Sequence, residues 1–277
     1  MQMRFLLATD LTPASARMLR YVLELNRYFF ARLELIHVFD LPIAAADEEG
    51  VLLRDYDAVT RAMEQDLWSF LRENQGAFHY DTTVSAVCGG LYKALASRAT
   101  AWHADLIVTG HSARDRTGLW TSTGTGRHLL THPPTPVLCV PEHAVLPPVI
   151  RNILVCTDLS EVPDPGRLQF IVRFAGGLNA TIILLHVRVR DEIEWEQDEM
   201  VREAWTTSLN TSLKVLEHPD RSSLSQMLAE YASDHEVDML VLFPHKHNWL
   251  DRLMLGSETG KVFDELDLPL MSLPMMD

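Results

Sequence analysis

The chain is poor in cysteine, with three in 277 residues: Cys88, Cys139 and Cys156. An odd number cannot close into a disulfide framework, and a chain this long needs no staples, so a reducing cytoplasmic setting is expected. Positive charge is also scarce. Against 38 Asp and Glu there are 24 Lys and Arg, a net charge of -14. Binders of nucleic acid or anionic membranes draw affinity from basic patches, so neither partner is expected; a small anionic ligand needs only one local cradle. Long apolar runs are missing. Before Asp10 the N-terminus offers only Phe5-Leu6-Leu7-Ala8, too short for a secretory h-region or a membrane span. Catalytic sets are missing too. No Gly-Lys-Ser/Thr follows a glycine at Walker spacing, and neither His37 nor His186 has a second ligand at zinc-like spacing. Nothing forces a Ser/His/Asp or Cys/His set together, so no enzyme is expected.

What is present is an ordinary globular balance, 47% hydrophobic and 22% charged, in a length that suggests two domains. The chain repeats itself once. Leu6-Leu7-Ala8-Thr9-Asp10-Leu11 returns as Leu154-Val155-Cys156-Thr157-Asp158-Leu159, and Leu35-Ile36-His37-Val38 as Leu184-Leu185-His186-Val187. Further on, Asp105-Leu106-Ile107-Val108 returns as Asp238-Met239-Leu240-Val241, and Thr135-Pro136-Val137-Leu138 as Leu268-Pro269-Leu270-Met271. The later pairs lie closer together than the earlier ones, so the second copy is shorter through its middle. Four matches in one order indicate a duplication. Pro-rich 141–148 reads as the linker, giving domains 1–147 and 148–277. Charge divides unevenly: 13 basic and 16 acidic residues precede Val149, and 11 and 22 follow from it, -3 against -11.

Each copy alternates apolar runs with helical patterns. In the first, strands are expected near Arg4–Ala8, Leu33–Val38, Tyr80–Val87, Leu106–Thr109 and Val137–Val140. Helices are expected near Pro13–Phe30, Arg54–Asn74, Leu91–His103 and Thr125–His132. Leu106-Ile107-Val108 and Ile182-Ile183-Leu184-Leu185 are apolar without alternation, as in strands buried on both faces. The pattern implies an α/β class, with a doubly wound, five-stranded parallel sheet in each copy.

Ligands of such sheets sit beyond the carboxyl ends of the strands, where strand order reverses. Three places follow. Ala8-Thr9-Asp10-Leu11-Thr12-Pro13 ends a strand and opens a helix, with Thr12 as N-cap and Pro13 at the first helical position. Asp10, like Asp158, either favours that helix terminus or accepts from ribose hydroxyls or an adenine amine. His37-Val38 and His186-Val187 end the second strands, where a histidine packs or caps. After the fourth strand come Gly110-His111-Ser112-Ala113 and then 121–127, whose small residues can cradle an anion ahead of a helix or form a capped turn. Copy two reads Pro244-His245-Lys246-His247 and then Gly256-Ser257. The acidic run 191–199 reads as a solvated helix start.

These residues resemble the universal stress protein family in its tandem form, over essentially the whole chain. The resemblance implies Rossmann-like domains of the adenine nucleotide alpha hydrolase-like type. It implies an adenine nucleotide, ATP or AMP, with Mg²⁺ as its accompanying ion. In the binding branch the first-strand Asp and second-strand Val contact adenosine, and a Gly-X2-Gly-X9-Gly-Ser/Thr loop holds phosphate. Asp10 and Asp158 match the acid, with Ala8 and Thr9 beside the first. Val38 and Val187 match the valine. Gly110 matches the first glycine, Ala113 replaces the second, and Gly124-Thr125 or Thr123-Gly124 supplies the last pair. In copy two Gly256-Ser257 matches that pair, but Pro244 and His247 replace the first two glycines and the spacing is one shorter. The resemblance therefore implies a stress-response regulator that binds nucleotide without turnover, better in copy one. A branch lacking the motif implies a non-binding interaction module, and some relatives imply slow ATP hydrolysis or autophosphorylation. It also implies an unknown protein partner, an intramolecular pseudo-dimer through Val137–Val140 and Leu270–Leu273, and further homodimerisation.

Overall fold

Phe5, Leu6, Leu7 and Ala8 are all at most 1% exposed. A strand that buries successive residues must be covered on both faces, and this one, β1 (Arg4–Thr9), is the middle of its sheet. The computed structural model describes residues 2–40, 56–111, 125–146, 148–157, 159, 164–189, 199–218, 224–243 and 268–274. The chain divides into two units, Met1–Leu129 with Pro134–Glu142, and Leu130–Pro133 with His143–Asp277.

From β1 the chain runs through α1 (Pro13–Leu25), β2 (Arg32–Phe39), α2 (Tyr56–Asn74), β3 (Thr82–Cys88) and α3 (Leu91–Trp102). It continues through β4 (Leu106–His111), α4 (Thr125–Thr131) and β5 (Val137–Pro141). Every pairing is parallel, in the order β3-β2-β1-β4-β5. The second unit comprises β6 (Asn152–Thr157), α5 (Pro165–Leu178), β7 (Thr181–Val189), α6 (Glu199–Leu209) and β8 (Leu213–His218), then α7 (Leu224–Asp234), β9 (Met239–Leu242) and β10 (Leu270–Ser272). Its order, β8-β7-β6-β9-β10, is that of the first unit strand for strand, again parallel. The expected class and five-stranded sheets are present.

The repeated aspartates at 105 and 238 have a structural reason. Asp105 Oδ2 accepts the Arg4 backbone N–H at 2.9 Å. Asp238 Oδ2 accepts those of Arg151 at 2.7 Å and Asn152 at 2.9 Å. In both copies this acid satisfies the donor that starts the central strand, where no ladder partner exists.

The largest boundary difference from expectation is in α1. Helix α1 stops at Leu25, not Phe30. Asn26 is fully buried, and its amide clamps Ala31, accepting the N–H at 2.8 Å and donating to the C=O at 3.0 Å. Phe30 then takes φ 48°, and the chain reverses into β2. Asparagine competes well with helical backbone bonds, which is why the helix ends there.

Candidate functional site

In the first unit strand order reverses between β1 and β4, so the carboxyl ends of β1, β2 and β4 form the crevice that such sheets use. Thr9 ends β1, opposite His37 in the register. Thr12 caps α1, its side chain accepting from the Ser15 N–H at 3.3 Å, with Pro13 following. Asp10 lies between strand and cap. Its Oδ1 accepts from the Thr12 N–H at 3.1 Å, from Thr12 Oγ1 at 2.6 Å and from Ser15 Oγ. Ser15 Oγ also accepts the Asp10 N–H at 3.2 Å. Burial alone would push the Asp10 carboxyl up, but the bonds donated by Ser15 and Thr12 outweigh it and hold the group below the usual carboxylate value. Its second oxygen, Oδ2, has no hydrogen bond among the described residues. The two sequence readings of Asp10 thus divide between its oxygens: Oδ1 organises the helix start, and Oδ2 is left to accept.

The next residue sets the corner. Leu11 is left-handed at φ 62°, and Leu159 in the second unit at φ 58°. For a leucine this costs on the order of 1 kcal/mol. Each gives its N–H to a threonine hydroxyl, Thr9 Oγ1 at 3.0 Å and Thr157 Oγ1 at 3.1 Å. This turn withholds a donor from the neighbouring strand. Arg32 donates to Met3, so even-numbered residues of β2 face β1. By that alternation the Val38 C=O faces the position Leu11 N–H would take if β1 continued, and Leu11 has turned away. Val38 pairs with Val87 in the register on its other side. The same holds in the second unit. Thr181 donates to Arg151, so odd-numbered residues of β7 face β6 and Val187 is left in the equivalent position.

Both histidines close the corner from behind. His37 Nδ1 donates to the Thr9 C=O at 2.8 Å, and His186 Nδ1 to the Thr157 C=O at 3.1 Å. A carbonyl can only accept, so Nδ1 carries a proton in both rings. They pack, as the sequence reading favoured.

Gly110 lies within β4, beside Val140. A Cβ there would meet Met18 Cβ at 3.3 Å, tighter than ordinary contact, so α1 approaches the strand end only over a glycine. Thr125 is the first residue of α4. Ala113, Gly124, Asp158, Gly256 and Ser257 lie outside the described residues, as do Pro244, the 245–247 histidines and 191–198. The structure therefore brings together Ala8, Thr9, Asp10, Val38 and Gly110. Sequence reasoning missed Ser15 and the left-handed Leu11. Ser15 could have been found from its place three residues after the Thr12 cap, whereas nothing in a leucine announces positive φ. Among the described residues no group of three His, Cys, Asp or Glu could hold a metal, and no helix is long and apolar enough to cross a membrane.

A structure of a universal stress protein from Archaeoglobus fulgidus DSM 4304 matches 99% of this chain and 97% of its own at 16% identity, with a TM-score of 0.69. A protein of unknown function from Pseudomonas aeruginosa PAO1 matches over 98% and 92% at 17% identity, with a TM-score of 0.59. At these identities the likeness is one of fold. No curated protein matches the chain. The model of the universal stress protein family matches twice, over residues 1–141 and 150–274. Two matches that cover nearly every residue, on two copies of one strand order, show that the chain belongs to the universal stress protein family.

Proposed function

We propose that the first unit binds an adenine nucleotide, ATP or AMP, at the carboxyl ends of β1, β2 and β4, as a stress-response regulator without turnover. The observation that carries this reading is the pair of acceptors left open at one corner, the Val38 C=O and Asp10 Oδ2. An adenine 6-amino group is a donor suited to the first, and ribose hydroxyls to the second. Gly110, Ala113, Gly124 and Thr125 are the phosphate side, with Mg²⁺ as counter-ion. Ala8 and Thr9 supply the buried strand end behind the corner.

The second unit shares the turn and Val187, and Asp158 and Gly256-Ser257 are its equivalents. Its Pro244 supplies no N–H, and His247 adds bulk where a glycine would let backbone approach phosphate. Weaker binding follows there. Binding is read out as changed affinity for a protein partner.

Isothermal titration of ATP with Mg²⁺ tests the reading. Asp10→Ala is expected to remove the tighter phase of binding and leave the weaker one, and Asp158→Ala to keep the tighter phase. Absence of heat with the wild-type chain, together with no co-purified nucleotide by mass spectrometry, favours the interaction module instead.

A further inference from the structure

A second concavity lies in the first unit and shares no residue with the corner described above. It encloses about 530 Å³ between the end of β3 and one face of α3. That is within the range of small-molecule sites. Its walls are apolar at Val87, Ala94 and Ala101, and its polar lining is Lys93, Ser97 and Arg98, with Cys88 beside them. Among the described residues no acid lines it.

Arg98 is held in place from behind. Its Nε donates to Glu34 Oε1 at 2.6 Å and its NH2 to Oε2 at 2.9 Å. Glu34 is fully buried in β2 and also accepts from Ser85 Oγ at 2.7 Å. The carboxylate occupies two of the five guanidinium N–H groups and fixes the plane of the rest. The other three have no acceptor among the described residues, and the side chain is 38% exposed. The Glu34 charge cancels that of Arg98, so the surplus charge of the groove is Lys93, which is exposed and has no ion pair or hydrogen bond among the described residues. One net positive charge, a preset fork of donors, a hydroxyl and apolar walls suit an anion rich in acceptor oxygens on a compact organic body.

We propose that this groove binds a small phosphate monoester through Lys93, Ser97 and Arg98. The proposal does not depend on the nucleotide reading. Cys88 is the one partly exposed thiol, since Cys139 and Cys156 are buried. Its alkylation by N-ethylmaleimide, followed by mass spectrometry on the full chain, reports occupancy. Glycerol 3-phosphate should slow Cys88 labelling saturably, and glycerol should not. Inorganic phosphate separates the head group from the body: equal protection by it assigns recognition to the phosphate alone and still supports the site.

Lys93→Gln should weaken protection about tenfold, and Ser97→Glu, which sets a carboxylate in the groove, should abolish it. Both positions are exposed on α3, so the fold is not at risk. Arg98 is left intact, because its loss would strand Glu34. Asp10→Ala should leave protection unchanged. Isothermal titration of glycerol 3-phosphate into the same variants reads binding without the thiol. No heat and no protection with the wild-type chain, or effects equal in wild type and Lys93→Gln, would overturn the proposal.

Discussion

Arg98→Ala is expected to be the most damaging single change of a partly exposed side chain in the first unit. Glu34 is fully buried and receives three hydrogen bonds, two of them from Arg98. Truncation removes the charge partner and both charge-assisted bonds, and leaves a carboxylate in β2 with only Ser85 donating. Breaking a buried ion pair from one side costs about 3–5 kcal/mol. The Arg98 side chain is 38% exposed, so water can enter the vacated space, and the low end applies, about 3 kcal/mol. Against a domain stability of about 5–15 kcal/mol that is a large fraction. For a urea dependence of about 1–3 kcal/mol/M, it moves the midpoint by roughly 1–3 M. Two units need not unfold together, so hydrogen exchange should accompany the urea curve, with loss of protection centred on β2, β3 and α3. The pair itself is not the source of stability. Glu34→Leu combined with Arg98→Leu should return to within about 1 kcal/mol of the parent chain. The reasoning fails if Arg98→Ala costs less than about 1 kcal/mol, or if the double replacement is as unstable as the single.

Three further outcomes follow from the corner and the core. Asp10 has its carboxyl held below the usual value, so the charged form is favoured by folding. Its contribution is present at neutral pH and lost as pH falls through the folded value, below about pH 4. Thermal melts should therefore show Asp10→Ala less stable than the parent at pH 7, with the gap closing on acidification. Leu11, left-handed at φ 62°, should tolerate glycine within about 1 kcal/mol, because relief of strain offsets the lost contacts and the greater freedom of the unfolded chain. Leu11→Val, β-branched at the same φ, should cost on the order of 1 kcal/mol more, as chemical denaturation would show. Burial pushes the Cys139 and Cys156 thiols well up, so native alkylation counted by mass spectrometry should stop at one adduct, on Cys88; three adducts without denaturant would contradict it.

Much of this architecture was legible because its causes are local. Continuous apolar runs announced strands covered on both faces. Thr12-Pro13 announced the start of α1, and the recurrence of Thr-Asp-Leu, His-Val and Asp before the fourth strand announced the duplication. What stayed hidden depends on partners distant in sequence. Glu34 interrupts Leu33-Glu34-Leu35-Ile36 with nothing local to account for a buried acid, since its partner Arg98 is on α3. Asn26 ends α1 only because Ala31 returns to its amide. Gly110 was read for the phosphate approach that its motif suggests, and the structure adds a second cause, contact of Met18 with the strand. At the corner, Asp10 was readable as the residue between strand and cap, but the division of labour between its two oxygens was not, since it arises from Ser15 and a left-handed Leu11.

The repetition of that left-handed turn carries an argument about the two copies. A leucine at positive φ has a cost, and hydrogen-bonding needs of the strand alone do not require it: a straight continuation would have satisfied the Val38 carbonyl through the Leu11 N–H. Both units instead spend that N–H on a threonine hydroxyl. Strain that recurs in the same place, beside the same acid, and opens the same carbonyl behaves as a feature of the site and not as an accident of packing. The sequence differences between the copies, Pro244 and His247 against Gly110 and Ala113, come in sequence at or after the end of the fourth strand, not at the first or second. On the nucleotide reading, the copies should therefore retain similar recognition of adenosine and diverge in their hold on phosphate. Adenosine titrated against ATP separates the two: the ratio of ATP to adenosine affinity should be larger for the first unit, measured in Asp158→Ala, than for the second, measured in Asp10→Ala, and equal ratios would place the difference elsewhere.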